Sequence, residues 1–249
     1  MRYVQMIFSP TGGTAKAAAA VTDCWHETET IDLTEINDRA DAFSGDDLVL
    51  VAMPAFGGLA PQAPLDRMKN IQGNGAKCVL MAVYGNRAIE DTLVQMQDAV
   101  EALGFRVIAA ISAVAQHSLV PLFAAGRPDK ADIEQLRSFS RRITEKVRSN
   151  DMTAPVIPGN RPYRAPGRVM APLTSDACTA CGLCAEKCPL VAIDAENPKS
   201  TDGSKCIGCV RCVSICPVGA RAFDRQRIDG ITEMLSKVCS ERRENELFI

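Results

Sequence analysis

The sequence has little of what marks several common classes of protein. Neither sign of charge is in excess: 28 Lys and Arg stand against 30 Asp and Glu, a net charge of −2. Composition therefore makes no case for nucleic-acid binding. No stretch approaches the roughly 20 apolar residues that a membrane span needs, so none is expected. The opening Met1–Phe8 is too short for a signal peptide and has no cleavage site after it. It reads as a buried strand, and a cytoplasmic location is expected. Histidine is limited to His26 and His117, and tryptophan to Trp25. His26 and Trp25 read as surface and packing residues. The loop Ser9–Thr14 lacks the Gly-Lys-Ser/Thr that ends a P-loop and is not G-x-G-x-x-G, so hydrolysis of a nucleoside triphosphate is not expected of it.

What is present suggests two domains, because 249 residues exceed one typical domain. The apolar share of 47% and charged share of 23% are those of an ordinary globular chain. Pro155, Pro158, Pro162, Pro166 and Pro172 recur with Gly159 and Gly167 between them. Proline removes amide donors and resists helix, so residues 151–172 read as an extended linker. It is either a spacer or a strap anchored by Tyr163, Val169 and Met170. Before it, Tyr3–Phe8, Thr30–Leu33, Leu48–Met53, Cys78–Val83 and Val107–Val114 read as strands. Thr14–Val21, Pro61–Asn70, Ile89–Leu103 and Lys130–Arg148 read as helices. Near-continuous apolar strands alternating with helices imply a doubly wound parallel α/β sheet over residues 1–150. Ligands in such sheets bind beyond the carboxyl ends of the strands.

Nine of the eleven cysteines follow residue 170, and eight form two blocks. One block is Cys178-x2-Cys181-x2-Cys184-x3-Cys188-Pro189; the other is Cys206-x2-Cys209-x2-Cys212-x3-Cys216-Pro217. Clustered cysteines in a cytosolic chain point to metal. Three cysteines two residues apart wrap a tight loop around one face of an iron–sulfur cube, and the loop amides face its sulfides. In the two-cluster version of this motif the fourth cysteine of each run ligates the other cluster. That assigns Cys178, Cys181, Cys184 and Cys216 to one [4Fe–4S] cluster, and Cys206, Cys209, Cys212 and Cys188 to a second. Structural zinc is the competing reading, but zinc ribbons use paired C-x2-C knuckles. The segment resembles the bacterial-type two-cluster ferredoxins over about 173–224. The resemblance implies a small α+β domain, placed at 173–226, and low-potential one-electron transfer. A C-terminal helix and tail, 227–249, follow, with Ile228, Ile231, Leu235 and Val238 at helical spacing.

Three loops follow strands in the first domain. Ser9-Pro10-Thr11-Gly12-Gly13-Thr14 offers small hydroxyl residues and glycines at a helix N-terminus, which suits an anion. Met53-Pro54-Ala55-Phe56-Gly57-Gly58 and Val83-Tyr84-Gly85-Asn86-Arg87 each set an aromatic beside glycine. A phosphate cradle flanked by two aromatics suits a flat ring with a phosphate tail. On these motifs the domain resembles the flavodoxin family over about 1–148, and the chain is similar to the flavodoxin–ferredoxin fusions of anaerobes. The resemblance implies bound FMN. Ser9, Thr11, Gly12, Gly13 and Thr14 would hold the phosphate. Ala55, Phe56 and Gly57 would line one side of the ring, and Tyr84, Gly85, Asn86 and Arg87 the other.

The expected role is an electron relay between the clusters, FMN and a redox partner, either a ferredoxin or a ferredoxin- or flavin-dependent enzyme. The alternative is an oxidoreductase in which FMN reduces a small molecule, with His117 as a candidate acid. A homodimer stays open; nucleic acid and membrane are not expected partners.

Overall fold

Strands that are apolar on both faces need cover on both faces, and the helices between them supply it. The computed structural model describes residues 1–36, 38–167 and 169–249; Arg168 of the linker lies outside them. The elements in chain order are β1 (Tyr3–Ile7), α1 (Gly13–Thr22), β2 (Glu29–Asp32), β3 (Asp41–Ala42), β4 (Leu48–Pro54), α2 (Gln62–Arg67), β5 (Ile71–Gln72), β6 (Lys77–Tyr84), α3 (Thr92–Ala102), β7 (Arg106–Val114) and α4 (Lys130–Arg148). There follow β8 (Leu173–Thr174), α5 (Leu183–Glu186), α6 (Arg211–Ser214), β9 (Arg221–Ala222), α7 (Arg225–Ser236) and β10 (Glu246–Phe248).

The main sheet has the order β10-β7-β6-β4-β1-β2. Its five strands from before the linker are all parallel. Numbered among themselves they run 2-1-3-4-5, the flavodoxin-like doubly wound order. Alternate residues of each strand serve opposite layers. Val49, Val51 and Met53 join α2 and α3 through Leu65, Met68, Leu93 and Met96. Leu48, Leu50 and Ala52 join α1 and α4 through Ala17, Val21, Leu136 and Ile143. The strand order reverses at β1, which lies between β2 and β4. The loops after β1 and β4 therefore flank the crevice where such folds bind ligands. Asp129 caps α4 with a reciprocal bond pattern involving Asp132, which fixes where that helix starts.

The sixth strand was not foreseen. β10 pairs antiparallel with β7, setting Leu247 opposite Ile111. Three residues carry too little periodicity to be read as a strand; the exposed edge of β7 selects them. Asn245 anchors the pairing, accepting from the Val114 amide at 2.8 Å and donating to Gln135 Oε1 at 2.7 Å. The linker is a strap. Asn160 donates through its backbone amide to Asp91, and Arg161 pairs with Asp98 at 2.7 Å. Tyr163 donates its hydroxyl to the same Asp98. Beyond it, Val169 lies against Gly208 in the second cysteine block. Among the described residues, no helix is long and apolar enough to cross a membrane.

Candidate functional site

Each cysteine block bends its backbone the same way. In the first half Ala180, Gly182 and Val191 take left-handed φ angles of +54°, +77° and +49°. In the second half Gly208, Val210 and Gly219 take +62°, +69° and +62°. These positions correspond pair by pair in the two motifs, so the halves share one loop geometry although only one member of each pair is glycine. A β-branched residue at positive φ is strained, and such strain persists only where the surroundings enforce it. Here the enforced feature is a loop in which the amides of Ala192, Gly208 and Ala220 point at the sulfurs of Cys188, Cys206 and Cys216.

Cys188, Cys206, Cys209 and Cys212 line a single cavity, together with Ile193, Ile207 and Val210. This is the crossed set: three cysteines of the second block with the fourth of the first. Burial pushes the Cys209 thiol up to about 12, and the neighbouring Cys212, Cys188 and Cys206 push the same way. A thiol buried in an apolar space resists ionisation unless a cation compensates it. The thiol of Cys216 behaves oppositely. Burial raises it, but amides of Val218, Ala220, Arg221 and Gly219 outweigh this and hold it below the ordinary value. Among the described residues, no three His, Cys, Asp or Glu side chains stand close enough to hold a single metal ion. The four cysteines line the wall of a space instead of meeting at a point.

The N-terminal loops lie at the carboxyl ends of the strands. Gly12 stands at the start of α1 with φ +88°, and a Cβ there would meet nothing within 4 Å. Ser9 Oγ accepts from the Ala15 amide at 2.9 Å and closes the loop over the helix start. The first amides of a helix have no intrahelical acceptor and carry the positive end of its dipole. Thr14 is buried, whereas Thr11 is exposed and Gly13 abuts Ala115. Phe56 is half-buried beside Gly57, whose own Cβ position is open. Gly58 is closed: a Cβ there would lie 1.8 Å from Glu90 Oε2. Ala55 is half-buried and its amide bonds the Val83 carbonyl.

The third loop is committed elsewhere through its side chains. Asn86 is buried and donates to the carbonyls of Cys239 and Glu241 at 2.9 and 2.7 Å. Its Oδ1 accepts from the Arg243 amide at 3.0 Å. Arg87 forks onto Glu90 at 2.7 and 3.0 Å. Burial, with Glu246 adding to it, raises the Tyr84 phenol. Gly85 has His117 against it, where a Cβ would lie 2.5 Å from the imidazole. His117 Nδ1 accepts from the Val120 amide at 3.1 Å, so the neutral ring carries its proton on Nε2. Burial first, then the Arg87 charge, lowers its pKa.

The two sets of loops touch. Arg211, between Cys209 and Cys212, donates to the Pro10 carbonyl at 3.4 Å and pairs with Glu35 at 3.1 Å. Arg67 of α2 donates to the Pro189 carbonyl. Ile207 packs against the core of the first domain. The cavity holding Cys206, Cys209 and Cys212 is thus the one that faces the loop after β1.

Residues 171–231 match the family of the 4Fe–4S dicluster domain. With the 2-1-3-4-5 sheet already described, that match decides the organisation. The chain joins a flavodoxin-like fold to a 4Fe–4S dicluster domain. No curated protein matches it. Among solved structures, flavodoxin 1 from Bacillus cereus is 14% identical and aligns over 58% of this chain and 98% of its own, with a TM-score of 0.41. A flavodoxin from Streptococcus pneumonia is 18% identical, over 58% and 99%, with a TM-score of 0.42. Rubredoxin oxygen:oxidoreductase from the anaerobe Desulfovibrio gigas is 13% identical, over 59% and 36%, with a TM-score of 0.43.

Two contacts of the dicluster domain escaped the sequence reading. One is Arg211, whose reach to Pro10 depends on how the domains dock. The other is Arg221, which is buried beside Cys184 with Nη1 3.4 Å from its Sγ. A signal for the second was present, because Arg221 stands where the first repeat has Ile193.

Proposed function

We propose that this protein relays single electrons between two [4Fe–4S] clusters and FMN and passes them to a redox partner, either a ferredoxin or a ferredoxin- or flavin-dependent enzyme. Cys178, Cys181, Cys184 and Cys216 hold one cluster; Cys188, Cys206, Cys209 and Cys212 hold the other. Ser9, Thr11, Gly12, Gly13 and Thr14 receive the FMN phosphate. Ala55, Phe56 and Gly57 border one side of the ring, and the backbone of Tyr84, Gly85, Asn86 and Arg87 borders the other. The observation that carries the reading is the gathering of four cysteines from two motifs around one cavity that abuts the loop after β1.

When bound, the clusters supply one-electron chemistry and FMN supplies one- or two-electron chemistry. The chain's own part is placement. Thiolates fix the metal centres, and the amides around Cys216 offset negative charge at that ligand. Arg211, Arg67 and Ile207 hold the Cys206–Cys212 loop on the flavodoxin-like domain. Covalent connection keeps the local concentration of one carrier high near the other. The lowered pKa of His117 leaves it neutral near pH 7 and argues against it as a strong acid in a direct reduction.

Cofactor content of protein purified without oxygen tests this. About eight iron, eight sulfide and one FMN per chain are expected from two four-iron motifs and one flavin site. Full iron without flavin would remove the N-terminal half of the proposal.

A further inference from the structure

Arg221 is a buried cation without a carboxylate partner. It is 2% exposed. Nη1 donates to the Pro198 carbonyl at 2.8 Å and lies 3.4 Å from Cys184 Sγ. Nη2 donates to the Thr201 hydroxyl. Nε is enclosed and has no acceptor. Among the described residues no Asp or Glu forms a salt bridge with it. A buried guanidinium with only neutral oxygen partners is costly unless an anion lies near. The anion available at this position is the thiolate of Cys184 and whatever that thiolate ligates.

The repeat makes this charge one-sided. Arg221 pairs with Thr174 across β8 and β9, and Ile193 bridges Thr201 at the corresponding place in the other half. Ile193 is buried too, but carries no charge. The charge of Arg221 is also felt at Cys212. Its hydrogen-bond contact, however, goes to Cys184 alone. A donor and a positive charge at a ligand sulfur stabilise the added negative charge of the reduced state.

We propose that Arg221 makes the cluster held by Cys178, Cys181, Cys184 and Cys216 the more easily reduced of the two. This rests on the two-cluster reading above. In the step concerned, a low-potential one-electron donor, such as a reduced iron–sulfur protein, loses one electron. The Cys184 side gains it, and no bond forms or breaks and no proton moves. Arg221 offsets that added charge. The Cys184 side also bears the exposed Cys181, whereas the Cys206 side lies against the flavodoxin-like domain. Arg221 therefore holds the resting electron at the end open to an outside donor, one step from the flavin loops.

An anaerobic redox titration followed by electron paramagnetic resonance tests this on the full chain, with iron and sulfide counted in every sample. In the half-reduced wild type the Cys184-side form should exceed the other at least tenfold. Arg221→Ile, which copies Ile193, should cut that ratio about tenfold, or about 59 mV for a one-electron couple. Arg221→Lys should restore most of it. An unchanged ratio in fully loaded Arg221→Ile overturns the inference; a purely structural arginine would lower stability and leave the ratio alone. Where Arg221→Ile does not load, the wild type decides. In half-reduced protein the β-methylene proton signals of Cys178 and Cys184 should carry the reduced-centre shifts. If those of Cys206 and Cys209 carry them, the inference falls. A wild type with fewer than two clusters sinks the two-cluster proposal itself.

Discussion

Val210 holds φ at +69° where the first repeat has Gly182 at +77°. Backbone conformation here is set by the loop and not by residue type. Gly219 allows a direct test, because a Cβ built there meets nothing within 4 Å. Any cost of Gly219→Ala then comes from the backbone, about 1–2 kcal/mol. It should appear as a lower anaerobic unfolding midpoint of the loaded protein. Val191→Gly, at the matching position in the first half, should raise that midpoint. Gly182 and Gly208 were legible as positions that admit a positive φ, because glycine carries no Cβ. Ala180, Val191 and Val210 were not, since their side chains argue against the conformation they adopt. His117 gives a second residue-scale prediction. Its folded pKa lies below the usual 6.5, so the unfolded chain binds the proton more readily. Stability contributed by the neutral ring is present above about pH 6.5 and is lost as pH falls toward the folded value. His117→Gln should flatten the decline in melting temperature between pH 7.5 and 5; an equal decline in both proteins would show that His117 is not its source.

Among elements, β10 is the least legible and among the most consequential. Leu247 sits opposite Ile111, and Asn245 satisfies the Val114 amide, Asp132 and Gln135. Asn245→Ala strands that buried amide and should cost about 1–3 kcal/mol in unfolding free energy. Arg161→Ala breaks an ion pair whose side chains are 49% and 39% exposed. It should cost less than about 1 kcal/mol. The contrast, read by denaturant titration of both variants, separates an internal clasp from a surface one. The parallel strands and the helices α1 to α4 were legible because their apolar residues recur with a period and because proline and glycine punctuate them. Strand β10 was not, because three residues carry no period and their partner edge lies more than 130 positions away in the chain.

At the scale of the whole molecule, the two parts differ in what holds them. The flavodoxin-like domain buries two continuous apolar layers. Between 173 and 224 the buried apolar side chains are Cys184, Pro189, Ala192, Ile193, Pro198, Val210 and Ala220. So small a core leans on its metal. Removing iron with a chelator should therefore unfold 173–224 while the parallel sheet persists. Hydrogen exchange should show protection lost over β8, β9 and α6 and kept over β4 and β6. Loss of protection in both regions at once would mean a single cooperative unit.

The sequence by itself determined the parallel sheet and the two cysteine blocks. Those follow from local periods and from spacings of two and three residues. Only the tertiary structure decided which block faces the loop after β1, that the tail closes the sheet and fastens Asn86, and that Arg221 is buried beside Cys184. Each depends on surfaces that meet from distant parts of the chain, and burial of a charge or pairing of an edge has no local period by which to announce itself.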